Sequence, residues 1–139
     1  MMTLESKKNY LKQVYRLDKI VKTKMNEIKE LSELATSISS LDYTKEKVDV
    51  SKGDGAKFED IIIKICDTEK EIKREVDILI NLKKDIDRKI DTIKDVDERL
   101  LLRLRYINDY KWEDICEEMN ISNSQIHRVH LRALKKLKI

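Results

Sequence analysis

The sequence predicts an all-α protein in which a long antiparallel helical hairpin of coiled-coil type precedes a C-terminal three-helix module. The chain has no proline and only two glycines, 41% of its residues are charged and 40% are hydrophobic, a composition typical of long solvated helices. Hydrophobic residues recur every three or four positions along two long stretches, as helices require. The last nineteen residues, 121–139, contain five Lys or Arg but no Asp or Glu, so the final helix is predicted to be strongly basic.

The first stripe of hydrophobic residues predicts a helix that begins near Leu4 and ends near Ile38. A flexible loop is expected at about residues 39–57, because this stretch holds both glycines and lacks a steady period. A second helix is expected from Phe58 to about Ile93. The first stripe comprises Leu4, Leu11, Val14, Leu17, Val21, Met25, Ile28, Leu31 and Leu34.

Two stripes of similar length predict that residues 1–94 form an antiparallel hairpin, since a helix must bury its hydrophobic side on some partner. Pairing of one or both stripes with a second copy of the chain is the alternative. In either case we expect the N-terminal helices to oligomerise or to dock a partner.

The sequence pattern of residues 95–139 predicts three shorter helices, at roughly 97–107, 112–119 and 122–138. Asn120 tolerates the left-handed backbone conformation that a tight turn between the last two helices requires. Ser122 is expected to cap the final helix, and Gln125, three positions later, to complete a capping box. A short helix, a tight turn and a capped helix form the helix-turn-helix layout, whose second helix enters the DNA major groove.

The final helix is predicted to have one buried and one basic side. At 100° per residue, its buried side is expected to pack on Leu104, Trp112, Ile115 and Met119. The opposite side offers cations to an anionic partner. Lysines near the C-terminus also suit the helix dipole, but that does not explain Arg128, Asn123 or Ser124. The buried side comprises Ile126, Val129, Ala133 and Leu137, flanked by His130 and Leu134, and the basic side comprises Ser124, Arg128, Leu131 and Lys135, flanked by His127 and Arg132.

The segment LLLRLRYINDYKWEDICEEMNISNSQIHRVHLRALKKL resembles region 4 of the bacterial sigma-70 family, the helix-turn-helix that reads the promoter −35 element. The resemblance covers about the last forty residues, and RALKKL is its most specific part. The whole layout is similar to small phage and prophage proteins of the ArpU and RinA type, which regulate transcription. Nothing upstream of Asp97 resembles the aromatic-rich region of a complete sigma factor, so an accessory regulator is favoured.

The resemblance also implies roles for individual residues. Lys111 stands where the family usually has Ser or Thr, and it is expected to join the free amides of a helix N-terminus on a phosphate. Cys116 replaces the usual Ala and is expected only to pack. Base contacts are implied for Asn123, Ser124 and Arg128, and phosphate contacts for Gln125, His127, Arg132 and Lys135.

These patterns favour a sequence-specific transcriptional regulator that binds double-stranded DNA and has RNA polymerase as a second candidate partner, and the resemblance implies that it is phage or prophage encoded. The N-terminal helices are not expected to bind DNA themselves. The alternative is a coiled-coil adaptor whose sigma-like module binds RNA polymerase or another protein, and Leu131, a hydrophobic residue on a polar side, supports it.

An enzyme is not expected, since the sequence has neither a phosphate-binding glycine loop nor a nucleophile elbow. No cofactor is expected, and His127, His130 and Cys116 make only a weak candidate metal set. The absence of a signal peptide or an apolar span, together with two widely separated cysteines, predicts a cytoplasmic protein with reduced thiols.

Overall fold

A computed structural model describes the backbone of residues 2–44 and 52–139 and the side chains of residues 2–38 and 55–139. Within these ranges the chain contains no β-strand, which confirms the all-α class, and none of the helices is long and apolar enough to cross a membrane. The described elements are α1 (Leu4–Thr44), α2 (Lys52–Asp91), α3 (Val96–Leu102), a π-helical segment (Arg103–Ile107), α4 (Trp112–Met119) and α5 (Asn123–Lys136).

The two long helices extend further into the expected loop than the sequence pattern indicates. α1 continues to Thr44 instead of ending near Ile38, and α2 begins at Lys52 instead of Phe58. Both glycines therefore lie inside α2, where each costs about 1 kcal/mol relative to alanine but does not by itself end a helix. The remainder of the expected loop, residues 45–51, lies outside the described residues.

Contacts divide the chain into two compact units. One unit consists of the chain up to Asp18 together with Ile78–Ile139, and the other of Lys19–Asp77. This division differs from the predicted one between residues 94 and 95, because the start of α1 and the end of α2 belong to the same compact unit as α3, α4 and α5. The module at 95–139 shares its core with both long helices.

The core of the first unit draws its buried side chains from both ends of the sequence. Tyr10 on α1 donates a hydrogen bond to Asp85 on α2, and the Lys89 ammonium lies 2.7 Å from the same carboxylate and 4.8 Å from the centre of the Tyr10 ring. These contacts fix antiparallel pairing of α1 and α2 in this unit. The core comprises Leu11, Val14, Leu79, Ile86, Ile90, Ile93, Leu101, Leu102, Tyr106, Ile115, Ile126, Val129, Ala133, Leu134 and Leu137.

The second unit shows the same antiparallel pairing of α1 and α2. The Lys24 ammonium lies 3.4 Å from Glu71 and 3.8 Å from Glu75, while Lys64 lies 3.5 Å from Glu27. Exposed pairs of this kind add little stability, about 0 to 1 kcal/mol each, but they define the register. The antiparallel hairpin expected within one chain is thus present.

Two residues of the predicted α1 stripe are exposed. Met25 and Leu34 are 57% and 50% exposed, whereas Ala35 is buried. The buried positions Val14, Val21 and Ala35 are separated by multiples of seven, the spacing of a coiled-coil seam. Leu34 precedes Ala35 by one residue, which rotates its side chain about 100° away from the seam.

The shared core predicts that a substitution near the N-terminus destabilises the C-terminal helices. Leu11→Ala, at a side chain that is 1% exposed, should lower the free energy of unfolding by about 2 to 5 kcal/mol because it leaves a cavity. The chain has one tryptophan, Trp112, so urea unfolding followed by its fluorescence reports on the C-terminal helices. The matched control, Leu34→Ala, should change the midpoint little, and an unaltered Trp112 transition in Leu11→Ala would contradict the shared core.

Candidate nucleic-acid interface

The connection between α4 and α5 has the tight geometry that the sequence predicts. Asn120 adopts the left-handed conformation (φ 52°, ψ 48°), and the amide of Ile121 donates to the carbonyl of Cys116 at 3.1 Å. The Ser122 hydroxyl accepts from the Gln125 amide, and the Gln125 side chain accepts from the Ser122 amide, both at 3.2 Å. The predicted turn and capping box are confirmed, so α4, the turn and α5 form a helix-turn-helix arrangement.

The inner side of α5 is anchored by hydrophobic burial and by one polar pair. Ile126, Ala133 and Leu134 are fully buried, as expected from the helical rotation. A 2.7 Å hydrogen bond joins the Tyr106 hydroxyl and Nε2 of His130, and the Trp112 ring packs edge-on against the His130 ring at 4.7 Å. The contacts of His130 with Trp112 and Tyr106 place α5 against α4 and the π-helical segment, in agreement with the predicted packing.

Burial shifts the pKa of both residues of this polar pair. The pKa of His130 is lowered to about 4, mainly by desolvation and to a smaller extent by nearby positive charges. Desolvation likewise raises the pKa of Tyr106 to about 12. Both groups are consequently neutral at pH 7, as the interior of the unit requires. The charged and titratable groups that contribute to the lowering at His130 are Lys8 and Lys12 on α1, Arg105 on the π-helical segment, and His127 on α5.

The outer side of α5 is exposed and carries no carboxylate. The three residues predicted to read bases, Asn123, Ser124 and Arg128, lie in its first two turns. Arg128 and Lys135 form no ion pair within the described residues, so both cations are available to an external anion. All of the α5 residues predicted to contact DNA are exposed: Asn123, Ser124, Gln125, His127, Arg128, Arg132 and Lys135.

Two of the predicted phosphate contacts already have partners. The Gln125 side-chain oxygen is occupied by the Ser122 amide, so this residue holds the helix start. Arg132 lies with its Nε 3.7 Å from Glu98, and the Lys136 ammonium lies 3.0 Å from both oxygens of the same carboxylate. Glu98 is only 2% exposed, which makes these cations its compensating charges.

Glu98 is a residue that sequence reasoning missed. An acidic residue in the first turn of a helix is ordinarily explained by the helix dipole. Glu98 does lie in the first turn of α3, where its backbone amide donates a hydrogen bond to the Asp95 side chain at 2.9 Å. Its position could have indicated that Glu98 is buried. Leu101 and Leu102, three and four residues later, are hydrophobic, so Glu98 lies on the buried side of α3. A carboxylate there requires a cation nearby.

Lys111 and His127 lie at the edge of the interface. Lys111 precedes α4 and lines an open depression together with Asp114, Glu117 and Glu118. These carboxylates oppose a phosphate at Lys111, which reduces the electrostatic advantage predicted for it. The His127 ring lies 5.3 Å from the ring of Trp112, so its aromatic face is partly covered while the residue stays exposed.

Comparison with known proteins assigns the chain to a family. Residues 37–138 match the sequence model of a family described as "Protein of unknown function (DUF1492)". Because this match covers more than half of the chain, the protein belongs to that family. No curated protein and no solved structure gives a significant match. The matched region includes the candidate interface on α5 and Glu98.

The buried histidine predicts acid sensitivity of the fold. Its pKa is about 4 in the folded protein against an ordinary value of 6.5, so the unfolded chain takes up the proton first as the pH falls. The stability that neutral His130 contributes is therefore present above pH 6.5 and is lost as the pH falls toward 4. His130→Gln should flatten the pH dependence of the unfolding free energy across this window, measured by urea titrations.

The exposed neighbour His127 provides the matched control for this measurement. His127→Gln removes an imidazole from the exposed side of α5 and leaves the buried pair of His130 and Tyr106 in place. Comparison of the two variants removes the contribution of the many carboxylates, which titrate equally in both. Equal pH profiles for His130→Gln and His127→Gln would contradict the assignment to His130.

Proposed function

We propose that this protein is a sequence-specific DNA-binding transcriptional regulator that acts in the cytoplasm of a bacterial host and places α5 in the major groove of double-stranded DNA. The observation that carries the proposal is the exposed, carboxylate-free side of α5, whose start is fixed by the capping box of Ser122 and Gln125. A rigid helix with small polar residues and an arginine in its first turns is suited to base edges.

Electrostatics also favour a polyanionic partner for this surface. Arg128 and Lys135 are exposed and without an ion pair in the described part of the chain, and α5 itself contains no acidic residue. Each cation that meets a phosphate releases counterions from the duplex, which provides affinity that depends on salt. The similarity of this segment to sigma-70 region 4 agrees with this use of α5.

Within the proposed interface, Arg128 is the residue best placed to provide sequence preference. It lies one turn beyond Ser124 on the outer side of α5. Its planar guanidinium can donate two hydrogen bonds to O6 and N7 of a guanine, which a lysine cannot reproduce. Lys135 lies two turns later and is assigned to the phosphate backbone, where only charge is needed.

A protein-binding adaptor is the second candidate function. Leu131 is 42% exposed in the middle of the outer side of α5, where a hydrophobic side chain contributes nothing to phosphate binding. Such a residue suits a partner such as RNA polymerase, or the methyl group of a thymine in the major groove. The variants below separate the two functions, because a protein-binding surface would not respond to the base sequence of a duplex.

Substitutions at Arg128 test base reading directly. Arg128→Ala should weaken binding to the preferred duplex by about 1 to 3 kcal/mol and relax preference at one base pair. Arg128→Lys keeps the charge and should lose the same preference, since it cannot form the bidentate contact. Selection from a random duplex library, followed by titration of the selected sequence, measures both quantities.

Lys135→Ala is the charge control for these substitutions. It should weaken binding to selected and unselected duplexes about equally. Unchanged base preference in Arg128→Lys would remove Arg128 from base reading and transfer that role to Asn123 and Ser124. No selectable duplex for the parent protein would contradict DNA reading and favour the adaptor.

A further inference from the structure

The start of α1 contains a second basic segment without acidic residues. Residues 6–17 include Lys7, Lys8, Lys12 and Arg16 but no Asp or Glu. In a chain with 27 acidic residues, only the C-terminal segment has a longer stretch of this kind. Solvated helix faces ordinarily alternate both signs of charge, so the start of α1 departs from the pattern of the long helices.

This segment packs against the C-terminal half of α5. The Lys7 ammonium donates to the backbone carbonyl of Leu134 at 2.9 Å, one of the last-turn carbonyls that lack a partner within the helix. Leu11 and Val14 are buried in the same cluster as Ala133 and Leu134. The first turns of α1 are thus fixed beside α5 by hydrophobic contact and by a hydrogen bond.

Lys8 and Lys12 lie next to this contact. They are one helical turn apart and are rotated by about 60° and 100° from the buried Leu11. Lys8 is half-buried, Lys12 is exposed, and neither pairs with a carboxylate within the described residues. Both are close enough to His130 on α5 to lower its pKa, so their charges act at the flank of that helix.

The two flanks of α5 differ in whether their cations are paired with a carboxylate. On one flank, His130 and Leu134 face α1 with its lysines, whereas on the other, Arg132 and Lys136 are held by the Glu98 carboxylate. Among the described residues, Lys8 and Lys12 thus place cations without a carboxylate partner on the α1 flank of α5. A duplex seated on α5 would gain additional phosphate contacts there, because a DNA backbone is attracted to unpaired cations.

We infer that Lys8 and Lys12 form a second phosphate-binding site for duplex DNA, adjacent to α5 and independent of base sequence. This inference rests on the proposed function and replaces the expectation that the N-terminal helices do not contact DNA. The site adds affinity but no specificity, since lysine contacts to phosphate oxygens carry no sequence information.

The test uses the full chain with Lys8→Gln and Lys12→Gln combined, and a labelled mixed-sequence duplex titrated at several salt concentrations. Loss of two phosphate contacts should reduce the slope of log affinity against log salt by about 1.8, at about 0.9 per contact, so the ratio of parent to variant affinity should rise about 60-fold between 1 M and 0.1 M salt. The matched control, Lys70→Gln with Lys73→Gln on exposed positions of α2, removes the same charge and should keep the parent slope.

Two further comparisons separate a DNA contact from a folding effect. Lys8→Arg with Lys12→Arg keeps both charges and should retain the slope, and thermal unfolding should be similar for all variants. A slope that is unchanged by the Gln pair, or lost equally in the Arg pair, would overturn the inference while leaving the proposed function intact. Absence of duplex binding by the parent protein would overturn the proposed function itself.

Discussion

Burial of the inner side of α5 is the interaction on which the candidate interface depends. A helix of 14 residues is marginal in water by itself, so its conformation requires the core in which Ile126 and Leu134 are buried. That core is completed by Leu11 from α1 and Ile86 from α2. The long helices therefore support the C-terminal helices directly, and the presentation of α5 is a property of the whole first unit.

The charges around α5 divide its cations into two groups. Glu98 is buried and would be costly without compensation, and its pairing with Lys136 and Arg132 engages these two residues within the protein. Arg128 and Lys135 have no such partner in the described part of the chain and remain available to a ligand. The cations on one flank are paired with a buried carboxylate and the α1 lysines on the other are not, a difference that the net charge of +3 does not reveal.

Local rules predicted the parts of the fold that depend on neighbouring residues. The left-handed Asn120, the cap of Ser122 and the two sides of α5 follow from backbone sterics and helical rotation, which act over a few positions. The helix ends near Thr44 and Lys52 were missed because glycine and serine weaken a helix without ending it. The shared core and the role of Glu98 were also missed, since they depend on contacts between residues far apart in sequence. A hydrophobic stripe indicates that a helix is buried, but it does not identify the partner.

Methylation interference tests the central claim, that the outer side of α5 occupies the major groove, most directly. A selected duplex is methylated lightly at guanine N7, which lies in the major groove, and at adenine N3, which lies in the minor groove, and bound and free fractions are compared. The account predicts that guanine N7 methylation within a short site prevents binding, because that atom is the proposed acceptor of a hydrogen bond from Arg128. Interference confined to adenine N3, or no interference at any base, would contradict it.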